Sequence, residues 1–155
     1  MSGETTNPDS CQVDFFLLGE SSPGPDRFAC HLALMAWERK QSIFVITSTQ
    51  SASDQLLELM WQYPEGRFLP HGQAKEPDSG KAPVNIGTLS SLNPTDVVIN
   101  LCPEVVPQPE RFSRVLEIVP YAENEKQPSR VKYKAYLNKG FKPKTHNIDT
   151  DGQKY

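Results

Sequence analysis

Three short stretches constrain this chain more than any other feature: Val13-Asp14-Phe15-Phe16-Leu17-Leu18, Ser42-Ile43-Phe44-Val45-Ile46-Thr47 and Asp96-Val97-Val98-Ile99-Asn100-Leu101. Each is a nearly continuous apolar run of strand length, not an alternation of apolar and polar residues. A strand of that kind is covered on both faces. Between the first two, Phe28, Leu32, Met35 and Ala36 recur at helical spacing, with Asp26 in the first turn and Arg39 and Lys40 in the last, so a helix is expected over 26–40. A second helix follows the second strand, with Leu56, Leu57, Leu59, Met60 and Tyr63 as its apolar stripe and Ser51 or Ser53 as its N-cap. Strand–helix–strand–helix order with such strands implies a three-layer, Rossmann-like α/β fold, its mostly parallel sheet carrying helices on both faces.

Further strands are expected at 83–87 and at 115–119, the latter stopped by Pro120. Residues 72–82 read as a polar loop, and 102–110 as a proline-punctuated connection leading to a short helix at 111–114. A final helix spans 124–138 with Gly140 as its stop. From Lys142 onward the chain reads as a mobile polar tail. With 155 residues the expectation is one domain over 12–146, between a polar leader (1–11) and a polar end (147–155). An apolar fraction of 37% excludes a chain disordered throughout. No apolar run approaches the roughly 18 residues of a membrane span, and the first ten residues lack a secretory signal. Cys11, Cys30 and Cys102 are odd in number and lack C-x-x-C spacing, which suits reduced thiols and a cytoplasmic location.

Local signatures of catalysis fail one by one. Gly19 to Gly24 has the G-x-x-x-x-G spacing of a phosphate loop, but Pro25 and Asp26 stand where Lys and Ser or Thr are needed. Asp26 would repel an anion at the helix start, and Pro23 and Pro25 remove amide donors. Pro23 also breaks the G-x-S-x-G pattern of a nucleophile elbow. His31, His71 and His146 form no zinc-binding spacing. His31 reads as a core or boundary histidine, and His71 as one that fixes a loop. The expectation is a protein that binds, with no cofactor, no metal and no catalytic residues.

Charge is unevenly distributed. Residues 1–125 hold 8 basic and 17 acidic side chains, whereas 126–144 hold seven basic and no acidic ones. Such asymmetry fits a contact surface for an anionic partner and a solvated lysine-rich helix face equally well. Within the final helix, Lys126, Arg130 and Lys134 stand at i, i+4 and i+8, with Tyr133 beside them and Val131, Ala135 and Leu137 left to cover the sheet. An arginine fork suits a carboxylate best. The acidic body disfavours a long polyanion, so a short acidic peptide is preferred over nucleic acid. The rival reading is a single-stranded nucleic acid binder that stacks bases on Tyr121, Tyr133 and Tyr136.

Several segments taken in order resemble the chi subunit of bacterial DNA polymerase III holoenzyme: Phe15-Phe16-Leu17-Leu18, Leu59-Met60-Trp61 with Phe68-Leu69-Pro70-His71, and Ala82-Pro83-Val84-Asn85-Ile86. The most specific are Val119-Pro120-Tyr121, Tyr133-Lys134-Ala135-Tyr136 and Gly140-Phe141. The resemblance covers about residues 12–146. It implies a non-catalytic replication adaptor that pairs with the psi subunit and binds the acidic C-terminal tail of single-stranded DNA-binding protein, which ends in Asp-x-Pro-Phe. Through that protein it associates indirectly with single-stranded DNA. It further implies a tail site at Phe68, Val119, Lys126, Arg130 and Tyr133, with Lys134 adding diffuse attraction. Pro128 departs from the family's uninterrupted helix, so a later helix start would put Lys126 on a loop. The psi surface is not placed by these motifs; exposed apolar side chains among 28–37 and 56–63 are candidates.

Overall fold

The computed structural model describes residues 11–20, 24–62, 71–73, 84–93 and 95–148. In chain order these form β1 (Gln12–Leu18), α1 (Pro25–Glu38), β2 (Ile43–Thr47), α2 (Gln50–Gln62), β3 (His71–Gln73), β4 (Val84–Thr88), β5 (Val97–Asn100), β6 (Arg114–Val119), α3 (Gln127–Asn138) and β7 (Lys144–Ile148). The seven strands make one sheet in the order β3-β4-β2-β5-β6-β1-β7. Every pairing is parallel. The three-layer α/β fold expected from the apolar strands is the fold observed.

Strand parity divides the core. Phe16, Leu18, Ile43, Val45, Val84, Ile86, Ile99 and Leu116 point to one face and pack with α1 and α2. Phe15, Phe44, Ile46, Val98, Val115 and Val119 point to the other, where Tyr136 of α3 joins them. Phe16 and Phe28 are fully buried with ring centroids 5.4 Å apart. Each such burial stabilises the fold by about 2–3 kcal/mol. Phe28, Leu32, Leu34, Leu56 and Met60 all lie in this core, so they are not the exposed apolar residues considered for a psi surface. The three cysteines are free and buried. Burial pushes the thiols of Cys11 and Cys30 up to about 12.

Several boundaries differ from expectation, each for a local reason. Thr49, not Ser51 or Ser53, caps α2, its hydroxyl accepting the Ala52 amide at 3.0 Å. Ser53 is instead buried against the hydroxyl of Thr47. The short helix expected at 111–114 is a single 3-10 turn at Pro109–Arg111, and Arg114 already belongs to β6. The loop expected from residue 72 begins inside β3. Gly140 does terminate α3: it has φ 96°, and the Gly140 and Phe141 amides donate to the Leu137 and Tyr136 carbonyls, as in a Schellman motif.

The largest difference is β7. Residues 144–148, read as part of a polar tail, pair with β1 in parallel from Lys144 to Ile148, and Ile148 is buried. β7 lies at the sheet edge, so its side chains are mostly polar and hide the strand from pattern reading. Gly19 is needed at its end, because a Cβ there would lie 2.8 Å from the Ile148 carbonyl oxygen.

The edge is tied to its neighbours by a buried carboxylate. Asp14 of β1 accepts hydrogen bonds from Arg114 of β6 at 2.7 Å and from the Gln12 amide at 3.0 Å, and contacts Nε2 of His146 of β7 at 2.9 Å. Burial alone would raise the Asp14 pKa, but the bonds from Arg114, His146 and Gln12 outweigh it and hold the carboxyl below its ordinary value. A depressed folded pKa means that this stability is complete above about pH 4 and is lost as acid drives the pH down through the folded value. Thermal melts across acid pH should therefore fall more steeply for wild type than for Asp14→Asn. Parallel acid limbs would show that Asp14 carries no such linkage.

Candidate functional site: a cationic-rimmed cavity beside the third helix

The β6–β1–β7 end of the sheet and α3 enclose an open cavity of about 270 Å³, lined by Phe15, Leu17, Val119, Lys126, Ser129, Arg130, Tyr133 and Thr145. Strand register explains the floor. Leu17 lies opposite Val119, and Phe15 lies opposite Thr145, so one face of three adjacent strands supplies it. Tyr133 forms a wall, its ring centroid 5.2 Å from that of Phe15. The lining is predominantly apolar, and Lys126 and Arg130 supply its cationic groups.

The phase of α3 sets this arrangement. Its buried residues are Ser129, Lys132 and Tyr136, with Tyr133 half-buried. Val131 and Leu137, expected to cover the sheet, are exposed. The reason is Glu117, a carboxylate wholly buried within β6. Its Oε1 accepts from Lys132 Nζ at 2.6 Å, and its Oε2 accepts from the Tyr136 hydroxyl at 2.6 Å and the Asn100 amide at 2.9 Å. Lys132 also donates to the Cys102 carbonyl at 2.8 Å. Burial is the largest influence and holds the Glu117 carboxyl above its ordinary pKa, although Lys132, Tyr136 and Asn100 pull it back down. Buried charge persists only when paired and hydrogen-bonded. The helix therefore turns a lysine inward and leaves two aliphatic side chains outside.

The expected site residues do not all converge. Val119, Lys126, Arg130 and Tyr133 line the cavity together. Lys134 is exposed on α3 and does not line it. Phe68 lies outside the described residues. α3 begins at Gln127 with Pro128 in its first turn, so Lys126 is the N-cap and precedes the helix, yet it still reaches the rim. Sequence reasoning missed Phe15, Leu17, Ser129 and Thr145. The first two carry a readable signal, since odd-numbered residues of β1 share a face with Val119.

Arg130 is ion-paired with Glu123, which sits on a 3-10 turn at Glu123–Glu125, and Lys126 Nζ lies 3.7 Å from the other oxygen of the same carboxylate. The Arg130 and Lys126 cations hold the Glu123 carboxyl below its ordinary pKa. Lys126 also lies over the Tyr121 ring, 5.9 Å from its centroid.

A second cavity of about 280 Å³ lies across the α3 N-terminus, lined by Asp26, Pro25, Pro103, Pro120, Pro128 and Lys132 among others. Lys132 is committed to Glu117 there, and Asp26 adds a carboxyl that burial pushes up in pKa. Prolines at both helix starts reduce the amide donors. This place on the sheet suits a phosphate poorly. Tyr136 is fully buried and Tyr133 packs on Phe15, so the three tyrosines do not form the stacking surface of the nucleic acid reading.

Fold and cavity together define an α/β protein with a small apolar notch and a cationic rim. The family model for the DNA polymerase III chi subunit, HolC, matches residues 11–144. The chain belongs to that chi family. It is 30% identical over 118 residues to DNA polymerase III subunit chi of Escherichia coli K12, covering 75% of this chain and 80% of that protein. It is 28% identical over 139 residues to the Pseudomonas aeruginosa PAO1 subunit, covering 88% and 96%. Among solved structures, yeast Dbp5 bound to Nup159, Gle1 and ADP superposes with a TM-score of 0.65 at 11% identity, over 93% of this chain and 44% of that one. T4 UvsW gives 0.60 at 10% identity, over 89% and 42%. This chain thus spans less than half of either protein, and these likenesses describe the fold alone.

Proposed function

We propose that the cavity beside α3 receives the free C-terminus of an acidic peptide, that of single-stranded DNA-binding protein, and that the chain is a non-catalytic adaptor of DNA polymerase III in the bacterial cytoplasm. The observation that carries this is the union of an apolar floor with Arg130 and Lys126 at its rim. Arg130 takes the terminal carboxylate by a charge-assisted fork. Lys126 attracts the aspartates upstream. Phe15, Leu17, Val119 and Tyr133 receive the terminal phenylalanine ring. Phe68 joins them by family resemblance, and Lys134 contributes diffuse attraction from the exposed side of α3.

The relatives named chi subunits support the assignment to the replicative holoenzyme, where a psi partner would join the adaptor to the clamp loader. Each tail contact is weak and salt-sensitive. Many tails on coated single-stranded DNA multiply it by effective concentration. Fluorescence anisotropy tests the reading: a labelled peptide ending in Asp-x-Pro-Phe should bind the intact chain, with affinity falling as salt rises. A bare single-stranded oligonucleotide should bind far more weakly. Preference for the oligonucleotide would reverse the assignment.

A further inference from the structure

We infer that Glu123 is a resident carboxylate that occupies the anion seat of this cavity and must leave when a peptide carboxylate arrives. The inference rests on the peptide-binding reading and adds a residue that sets the affinity of that site. Its basis is geometric. Two side chains supply the cations of the cavity lining, and one carboxylate engages both: Arg130 through one oxygen, and Lys126 at 3.7 Å through the other. Glu123 lies seven residues before Arg130, outside helical i,i+4 reach, on the 3-10 turn that leads into α3.

The contact is built to be lost. The Glu123 side chain is 72% exposed and that of Arg130 57%, so water screens the pair and holds its strength low. Glu123 supplies the charge of a peptide terminus without its apolar group, and it is absent from the lining of the notch. A C-terminal residue with an aromatic side chain brings both, and burial of the ring favours exchange. A bare anion brings only charge and gains little by displacing a carboxylate already in place. The seat therefore favours carboxylates attached to an apolar side chain. Exchange of one carboxylate for another also leaves Arg130 paired in both states.

Anisotropy titrations at low salt test this with Glu123→Gln, an exposed and nearly isosteric change. The free-acid Asp-x-Pro-Phe peptide should bind the variant more tightly than wild type, by up to about five-fold, the ceiling set by an exposed ion pair. The gain should shrink for the same peptide with an amidated C-terminus, and for the free acid in an Arg130→Ala background, where only the contact of Glu123 with Lys126 is relieved. An equal gain for both peptides would reduce Glu123 to a general repulsive charge. Weaker binding would show instead that Glu123 holds the two cations in place. Either result overturns the inference while leaving the peptide site standing. If wild type itself does not distinguish acid from amide, the peptide-binding reading fails first.

Discussion

Replacing Lys132 with methionine will destabilise the fold by about 3–5 kcal/mol, the range for removing one partner of a buried ion pair. Lys132 is 4% exposed and its ammonium group lies between Glu117 and the Cys102 carbonyl. Methionine fills similar volume, so packing changes little. What changes is that Glu117, wholly buried, loses its cation and keeps only the bonds from Tyr136 and Asn100. Adding Glu117→Gln to Lys132→Met should restore most of the loss, because the carboxamide keeps an acceptor for those donors and carries no charge. Urea midpoints at neutral pH measure both. A single-variant cost under about 1 kcal/mol would mean the pair is not the ionic anchor described here. The network also pins the rotational setting of α3, which brings Ser129, Arg130 and Tyr133 to the cavity. Destabilised Lys132→Met should therefore also bind peptide less tightly.

The second large effect is at Arg130. Arg130→Ala should weaken binding of the free-acid peptide by about 1.5–3 kcal/mol, the worth of a hydrogen bond to a charged group, or roughly 10- to 150-fold. Arg130 is largely exposed and already paired with Glu123, which places the expectation below that of a buried charge pair. Arg130→Lys should fall between wild type and alanine, since it keeps the charge and loses the planar fork. The stability of the free protein should scarcely change in either variant. Unchanged peptide affinity in Arg130→Ala would remove the carboxylate role.

The apolar strands make the sheet legible in the sequence, because a strand covered on both faces cannot conceal its composition. The edge strand β7 was not legible: Lys144, Thr145 and Asn147 are exposed, and its one deeply buried apolar residue, Ile148, stands at its end. The site was half legible. Lys126, Arg130 and Tyr133 stood out by charge and spacing, and Val119 by resemblance. The phase of α3 is only partly legible: Arg130 and Lys134 are exposed as their charge suggests, but apolar Val131 and Leu137 are exposed too, while charged Lys132 is buried. The clue lay on another element. Glu117 interrupts the apolar run Val115–Val119, and a carboxylate there needs a cation from whatever packs on it. Pairing of that kind depends on tertiary geometry, which one-dimensional periodicity does not contain.

The most direct measurement compares two peptides that differ only at the end of the main chain. Binding of an Asp-x-Pro-Phe peptide to the wild-type chain should be several-fold tighter with a free terminal carboxylate than with a terminal amide, since only the free acid offers Arg130 a peptide carboxylate in exchange for that of Glu123. Equal affinity for the two would contradict the account, because a notch that ignores the terminus does not use the cationic rim that defines it.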